Sequence, residues 1–388
     1  MVTAAQPLSA LPRPRVAAVR HLGPNWYATV MGTAVVATAG AALPLRVPGL
    51  RPLCTAVWAL SLLVLVALFA ARALHWLHHR DQARAHLLDP ATVPFYGCLA
   101  MALVAVGGGA LAVGRDLIGI EAAVALDAVL FCAGTAVGLA AAVAVPYLMA
   151  VRLRVEAGQA TPVWLLPLVA PMVSAASGPR LVPHLPDGQP RQTLLLACFA
   201  LFGLSLLATL VMLPLVFGRL VTSGPLPLAL TPTLFLVLGP LGQSTTAVGT
   251  FAEVAPGVVP APDSRGFAAL AVLYGVPVMG FALLWLCLAG AHVVRARRHG
   301  MRFTMTWWAF TFPVGTCVTG AESLARHTGL AACAVLATGL YVVLVAAWAV
   351  AAGHTVRGLV SGELLAAPRP APVAPRRATV RTTSGAVR

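Results

Sequence analysis

The chain has 388 residues, 59% of them hydrophobic and 10% charged, with a mean hydropathy of +0.88 and a net charge of +15. A soluble domain carries about 25% charged residues, and a chain this apolar would expose large sticky patches in water, so a soluble globular protein is excluded and lipid is the solvent that fits. The basic residues are 26 arginines and no lysine, spread between apolar runs and along the tails; with no basic face, a nucleic-acid partner is not expected.

Residues 1–21 lack the charged, apolar, small-residue order of a cleaved signal peptide. They read as a disordered cytoplasmic arm. Ten apolar runs follow, at 25–44, 52–74, 93–113, 121–150, 162–182, 193–217, 229–252, 267–294, 304–326 and 329–353. About 20 apolar residues in helix cross the hydrocarbon core, so each run predicts a span and residues 22–355 form one membrane domain. The connections are short and carry the breakers Pro48, Pro90, Pro186, Pro225 and Pro262. Residues 356–388 read as a disordered basic cytoplasmic tail.

Arginine placement sets an orientation. Counting along ten spans, 19 arginines fall on the side of the N-terminus and 7 on the other, the latter being Arg46, Arg51, Arg115, Arg180, Arg191, Arg265 and Arg326. Basic connections stay in the cytoplasm, so both termini are expected there, in the cell membrane.

A repeat of two spans shows through the chain. Even-numbered runs lead into Arg72, Arg152, Arg219, Arg295 and Arg357. Odd-numbered runs carry Pro and Gly inside or at their entrances: Pro24 and Gly32, Pro94 and Gly97, Pro167 and Pro171, Pro232, Gly239, Pro240 and Gly242, Pro313 and Gly315. A proline frees a backbone carbonyl, which is costly against lipid but tolerated in packed protein or beside a wet cavity. A kink also leaves N–H groups of partial positive charge that attract anions. The expected fold is an all-α integral membrane protein of ten helices, paired as five hairpins around a central pore with the odd helices inside.

Chemistry-bearing residues are few. The seven cysteines show no C-x-x-C spacing and all lie within apolar segments, as small core residues do. His75, His78 and His79 share one end of the second run, but Asp81 alone lies near them, so no metal site and no cofactor is expected. Asp127, Glu253 and Glu322 fall within or at the edges of spans four, seven and nine, and an intramembrane carboxylate points to function by default. Glu253 follows the polar stretch Gln243–Thr246, and proton coupling is the role considered for Glu253 and Glu322; a carboxylate at the wet interface is the plain alternative. Glu322 precedes Arg326 by four residues, the spacing of a helical ion pair. The segment Thr306-Trp307-Trp308-Ala309-Phe310-Thr311-Phe312-Pro313 places two interfacial tryptophans and two phenylalanines before a kink. Such a ring either closes a narrow path by apolar constriction or packs as ordinary core.

This segment resembles the ninth span of the tellurite-resistance/dicarboxylate transporter family, which includes tellurite-resistance permeases, malate permeases, sulfite efflux pumps and slow-type anion channels. The run from Gly23 to Thr33, with Met31-Gly32-Thr33, is similar to the first span of the sulfite and malate branch; Pro167–Gly178 resembles the fifth and Leu238–Gln243 the seventh. The resemblance covers roughly residues 22–355. It implies five hairpins about a quasi-fivefold axis, a homo-trimer, and conduction of small anions: sulfite, other oxyanions, chloride or four-carbon dicarboxylates. It places the pore gate on Phe312, with Phe310 as the other member of the aromatic pair, and pore-lining kinks at Gly32, Pro94, Pro167, Pro171, Gly239, Pro240 and Pro313. The lack of arginine well inside the odd spans fits that family's pore, which is electropositive through its backbone. A lipid or isoprenoid enzyme would need motifs such as D-D-x-x-D, H-E-x-x-H or G-x-S-x-G, which are absent; a membrane sensor without a pore is the remaining alternative.

Overall fold

The computed structural model describes residues 19–45, 47–153 and 157–365. The arm and tail expected to be disordered lie mostly outside them, although the last helix continues to Val360, past the expected boundary at 356. Long apolar stretches fold as α-helix because only helix satisfies every backbone group internally in lipid. The helices are α1 (Tyr27–Ala42), α2 (Leu50–His78), α3 (Arg80–Leu87), α4 (Tyr96–Gly109), α5 (Arg115–Ile118), α6 (Ile120–Val151), α7 (Leu165–Ser177), α8 (Gln189–Ser223), α9 (Leu238–Val254), α10 (Ala261–Leu273), α11 (Gly275–Arg298), α12 (Phe312–Thr328) and α13 (Ala331–Val360). No strand occurs among the described residues.

Among the described residues, eight helical segments, of 23 to 38 residues, are long and apolar enough to cross a membrane. They begin at Leu50, Val93, Ile120, Pro162, Gln189, Leu228, Ala261 and Ala331, and the protein is all-α and multi-pass. The other two expected spans are helical but fall short by length and composition. α1 has 16 residues, and α12 has 17 and includes Glu322, Arg326 and His327.

Burial divides the segments into two kinds. In Val93–Ile118, Pro162–His184 and Leu228–Val254 the apolar stretch is 83%, 89% and 94% buried, against 17–28% in the other five. α1 and α12 are buried along most of their length as well. Each of these five inner segments starts with a 3₁₀ turn: Pro24–Trp26, Val93–Phe95, Pro162–Trp164, Leu228–Val237 and Met305–Phe310. Proline alone does not sort the helices, because the exposed α6 and α8 hold Pro146 and Pro214 inside them. The 3₁₀ entrance does.

The inner helices contact one another in a closed cycle: α1 with α4, α4 with α7, α7 with α9, α9 with α12, and α12 with α1. Each also packs against the exposed helix that follows it: α2, α6, α8, the α10–α11 pair and α13. Non-α backbone in the inner segments finds donors on the outer ones. The Trp58 indole N–H donates to the Val106 carbonyl at 3.0 Å, just before a π-turn at Ala110–Gly114, and the Trp285 N–H donates to Leu234 at 2.9 Å. Two glycines make the tight reversals possible. Gly119 at φ 81° separates α5 from α6, and Gly329 at φ 68° ends α12 two residues before α13.

The inner helices α9 and α12 pack with their backbones close together. A Cβ on Gly242 would come within 2.5 Å of the Cys317 amide nitrogen. Small residues let helix backbones approach in lipid, where dispersion has to replace the hydrophobic drive.

Candidate functional site

Where the five inner segments meet, they leave cavities in series. The central one, of about 40 Å³, takes residues from all five segments: Val35 and Thr38, Gly108, Ser177 and Arg180, Gln243 and Thr246, Phe312 and Thr319. Toward the N-terminal ends of the inner helices lies a smaller void of about 10 Å³, lined by Met31, Met101, Leu165, Val169, Gly239, Phe312 and Pro313, and again all five contribute. Toward their C-terminal ends a wide vestibule of about 350 Å³ shares Thr38 and Arg180 with the central cavity and adds Arg51, Arg115 and His184. Phe312 borders both inner cavities, the polar chamber and the apolar void.

Local structure puts that ring there. The 3₁₀ turn ends at Phe310, and Thr311 carries φ −95° and ψ −78° before the helix restarts at Phe312 with Pro313 behind it. The Thr311 hydroxyl donates to the Trp308 carbonyl at 2.7 Å, and the Trp308 indole donates to Thr355 on α13 at 3.0 Å. Gly32 permits this turn to lie against α1, since a Cβ there would collide with Thr311 and sit 2.9 Å from the Trp308 ring. Phe312 is 3% exposed.

The other residues singled out by the sequence divide by position. Gly239 and Pro313 line the apolar void. Pro240 lines a separate lateral crevice between α7, α8 and α11. Pro94, Pro167 and Pro171 are buried in packing, and a Cβ on Gly97 would run into the backbone of Leu166 and Pro167. Phe310 lies outside the two inner cavities; its ring is edge-on to Phe235, with centroids 4.9 Å apart, and 5.8 Å from Trp307.

The acids differ from their expected pairing. Arg326 bonds Glu253, with Nε 2.9 Å from Oε1, and this ion pair is solvent-exposed. It does not pair with Glu322, four residues away. Glu322 is 1% exposed and its Oε1 has no partner. Asp127, on α6, is equally buried, with neither carboxylate oxygen bonded; it fits because Gly107 has no side chain, a Cβ there lying 2.6 Å from Oδ1. An ionisable group without a partner inside a membrane domain is a candidate functional position.

Sequence reasoning missed Arg180. Counted there only as an arginine at the end of the fifth run, it lies in the 3₁₀ turn Gly178–His184 that continues α7 and lines two adjoining cavities. The tighter 3₁₀ winding changes the angular phase of the residues after Ser177, which the apolar pattern does not reveal. Glu253, Asp127 and Glu322 are within electrostatic reach of it, yet none forms an ion pair with it among the described residues. At the histidine cluster, His75 stacks on His86 with ring centroids 5.4 Å apart and bonds the Val19 carbonyl at 2.9 Å. No group of three metal-ligating side chains occurs among the described residues.

Known proteins bear on this arrangement. The chain is 26% identical to the sulfite efflux pump SSU1 of Trichophyton rubrum over 345 residues, 87% of this chain and 91% of that one. It is 24% identical to an uncharacterized transporter of Methanocaldococcus jannaschii over 347 residues, 89% of this chain and 96% of the relative. The sequence profile of the voltage-dependent anion channel family, SLAC1, matches residues 21–356. That is a family of anion transporters and channels rather than enzymes, and a match from the first inner segment almost to the end of α13 establishes that the chain belongs to it.

Proposed function

We propose that the protein is a ten-span, five-hairpin membrane channel or carrier that passes small anions along the axis of its inner helices, with Phe312 as the gate. The observation that carries this reading is the position of the Phe312 ring between two cavities that all five inner segments line. α1 and α12 count as spans here, because each extends a 3₁₀ turn and lies inside the ring, where lipid does not have to solvate its polar residues. On the way out, the anion leaves water at the N-terminal ends of the inner helices, meets an apolar constriction that opens when the ring moves aside, and passes through the central chamber to the vestibule. Phe310 braces the turn against Phe235 rather than plugging the path.

The central chamber, of about 40 Å³, is small. That favours sulfite, nitrate or chloride over a four-carbon dicarboxylate. Similarity to a sulfite efflux pump supports the sulfite class, export, and the cell membrane; the arginine count supports cytoplasmic termini. Of the two carboxylates considered for proton coupling, Glu322 has the environment for it, being buried and unpartnered, whereas Glu253 is held at the surface by Arg326. A homo-trimer is the expected assembly.

The test is flux from liposomes holding the purified protein, comparing chloride, sulfite and malate with and without a proton gradient. Small-anion flux well above malate flux is expected. Absence of any anion flux from correctly folded protein overturns the reading and leaves a membrane sensor.

A further inference from the structure

We infer that Arg180, Gln243 and Ser177 form a binding site for a small oxyanion in the central cavity, on the vestibule side of the Phe312 ring. The inference rests on the anion-transport reading and adds to it which residues hold the ion and which class of anion they prefer.

Hydrogen-bond accounting leads to these three. The threonines that line the cavity have spent their protons. Thr38 donates to backbone carbonyls of its own helix at 3.3 Å; Thr246 lies 3.0 Å from the Gly242 carbonyl, Thr319 3.1 Å from the Thr316 carbonyl and the two hydroxyls 2.8 Å from each other, three contacts that use both of their protons. Ser177, Arg180 and Gln243 line the same cavity, and none makes a side-chain hydrogen bond among the described residues. Gln243 is 8% exposed, and a buried polar side chain without a partner is rare in a folded protein. Together they offer the guanidinium fork, an amide NH₂ and one hydroxyl.

Charge gives the sign of the missing partner. The acids near Arg180 act on it only at a distance, so its guanidinium has no counter-ion in contact. A half-buried cation without a contacting anion carries part of its desolvation cost uncompensated, and an anion in the chamber offsets it. The shape of the donors sets the class. A guanidinium presents two parallel N–H groups that match two oxygens of one oxyanion. A spherical halide takes the charge but cannot use the fork. Ser177 and Arg180 come from one wall, three residues apart where α7 passes into its 3₁₀ turn, and Gln243 from the neighbouring α9, so the donors converge from two sides.

The experiment uses the full chain, purified and folded, with nitrate, sulfite and chloride as probes. Equilibrium binding is measured in detergent, and flux ratios in liposomes, for wild type, Arg180→Lys, Arg180→Met and Gln243→Leu. Arg180→Lys keeps the charge and loses the fork, so nitrate and sulfite affinity should drop about tenfold or more relative to chloride, as expected for lost hydrogen bonds to a charged group. Arg180→Met should abolish oxyanion binding. Gln243→Leu should lower oxyanion affinity several-fold, and it keeps the test open if the arginine variants do not fold. Unchanged oxyanion preference in folded Arg180→Lys and Gln243→Leu overturns the site, as does wild-type protein that binds no oxyanion. Wild-type flux with no change in preference overturns this site and leaves the Phe312 pathway standing. Arg180-dependent binding without flux does the reverse.

Discussion

Replacing Phe312 by alanine separates a gate from a core aromatic. The ring is 3% exposed and lies between a chamber of about 40 Å³ and a void of about 10 Å³. To let an anion pass, it has to leave that packed position. Burying a phenylalanine side chain is worth about 1.5–3 kcal/mol, so the closed position is favoured by that amount over a displaced ring. At about 1.4 kcal/mol per factor of ten, the displaced state is populated roughly once in 10 to once in 150. Deleting the ring joins the two cavities and should therefore raise anion flux by about 10- to 150-fold in liposomes, at equal protein incorporation. A fully packed Phe→Ala change costs about 3–5 kcal/mol of stability. Because this ring already borders empty space, the loss should sit at the low end, which a thermal melt checks. The matched control is Phe310→Ala, which removes a ring of similar size from the Phe235 and Trp307 cluster without touching either cavity. The reasoning is refuted if folded Phe312→Ala conducts like wild type, or if Phe310→Ala opens the path equally.

Gly242→Ala should destabilise the α9–α12 contact by about 1–3 kcal/mol or more, since its Cβ meets Thr316 and Cys317 backbone rather than a flexible side-chain tip; an unshifted melting temperature would contradict the described helix spacing. Glu322→Gln should make anion flux indifferent to a proton gradient if the wild type responds to one, while Glu253→Gln should retain the response; the opposite pattern would move the coupling to the surface pair. Asp127→Asn leaves a side chain of similar shape without an ionisable group, so its effect on gradient-driven flux tests whether the second unpartnered carboxylate takes part. Burial lowers the pKa of His86 below its ordinary 6.5, with Arg72 adding to the effect. The folded state thus resists protonation there, so stability is complete above about pH 6.5 and declines as the pH falls through that value toward the folded pKa. His86→Gln should flatten this part of a melting-temperature profile, and an unaltered acid limb would show that His86 does not set it.

Much of the architecture is a statement about solvent, and solvent preference is written residue by residue. An apolar run such as that within Gln189–Ser223 has no stable form in water or as open sheet in lipid, so helix, membrane and multiple crossings follow from composition and length. The motif around Phe312-Pro313 carried the family resemblance, because a ring, a kink and two tryptophans leave a trace in eight consecutive letters. Partners distant in sequence leave no such trace. The four-residue spacing of Glu322 and Arg326 suggested a pair, but Arg326 reaches Glu253 on the neighbouring helix, 73 positions away, and Glu322 stays alone. Phe310 and Phe312 look equivalent by residue type; a two-residue step around Thr311 sets one ring against Phe235 and Trp307 and lets the other border both inner cavities. Arg180 reads as a basic residue at the far end of the fifth run, and only the 3₁₀ continuation of α7 brings it to the chamber lining. Hydropathy fixes which segments avoid water because transfer energy belongs to each side chain by itself. Which side chains face the shared cavity depends on helix phase and on how neighbouring helices pack, and those are properties of the assembled bundle.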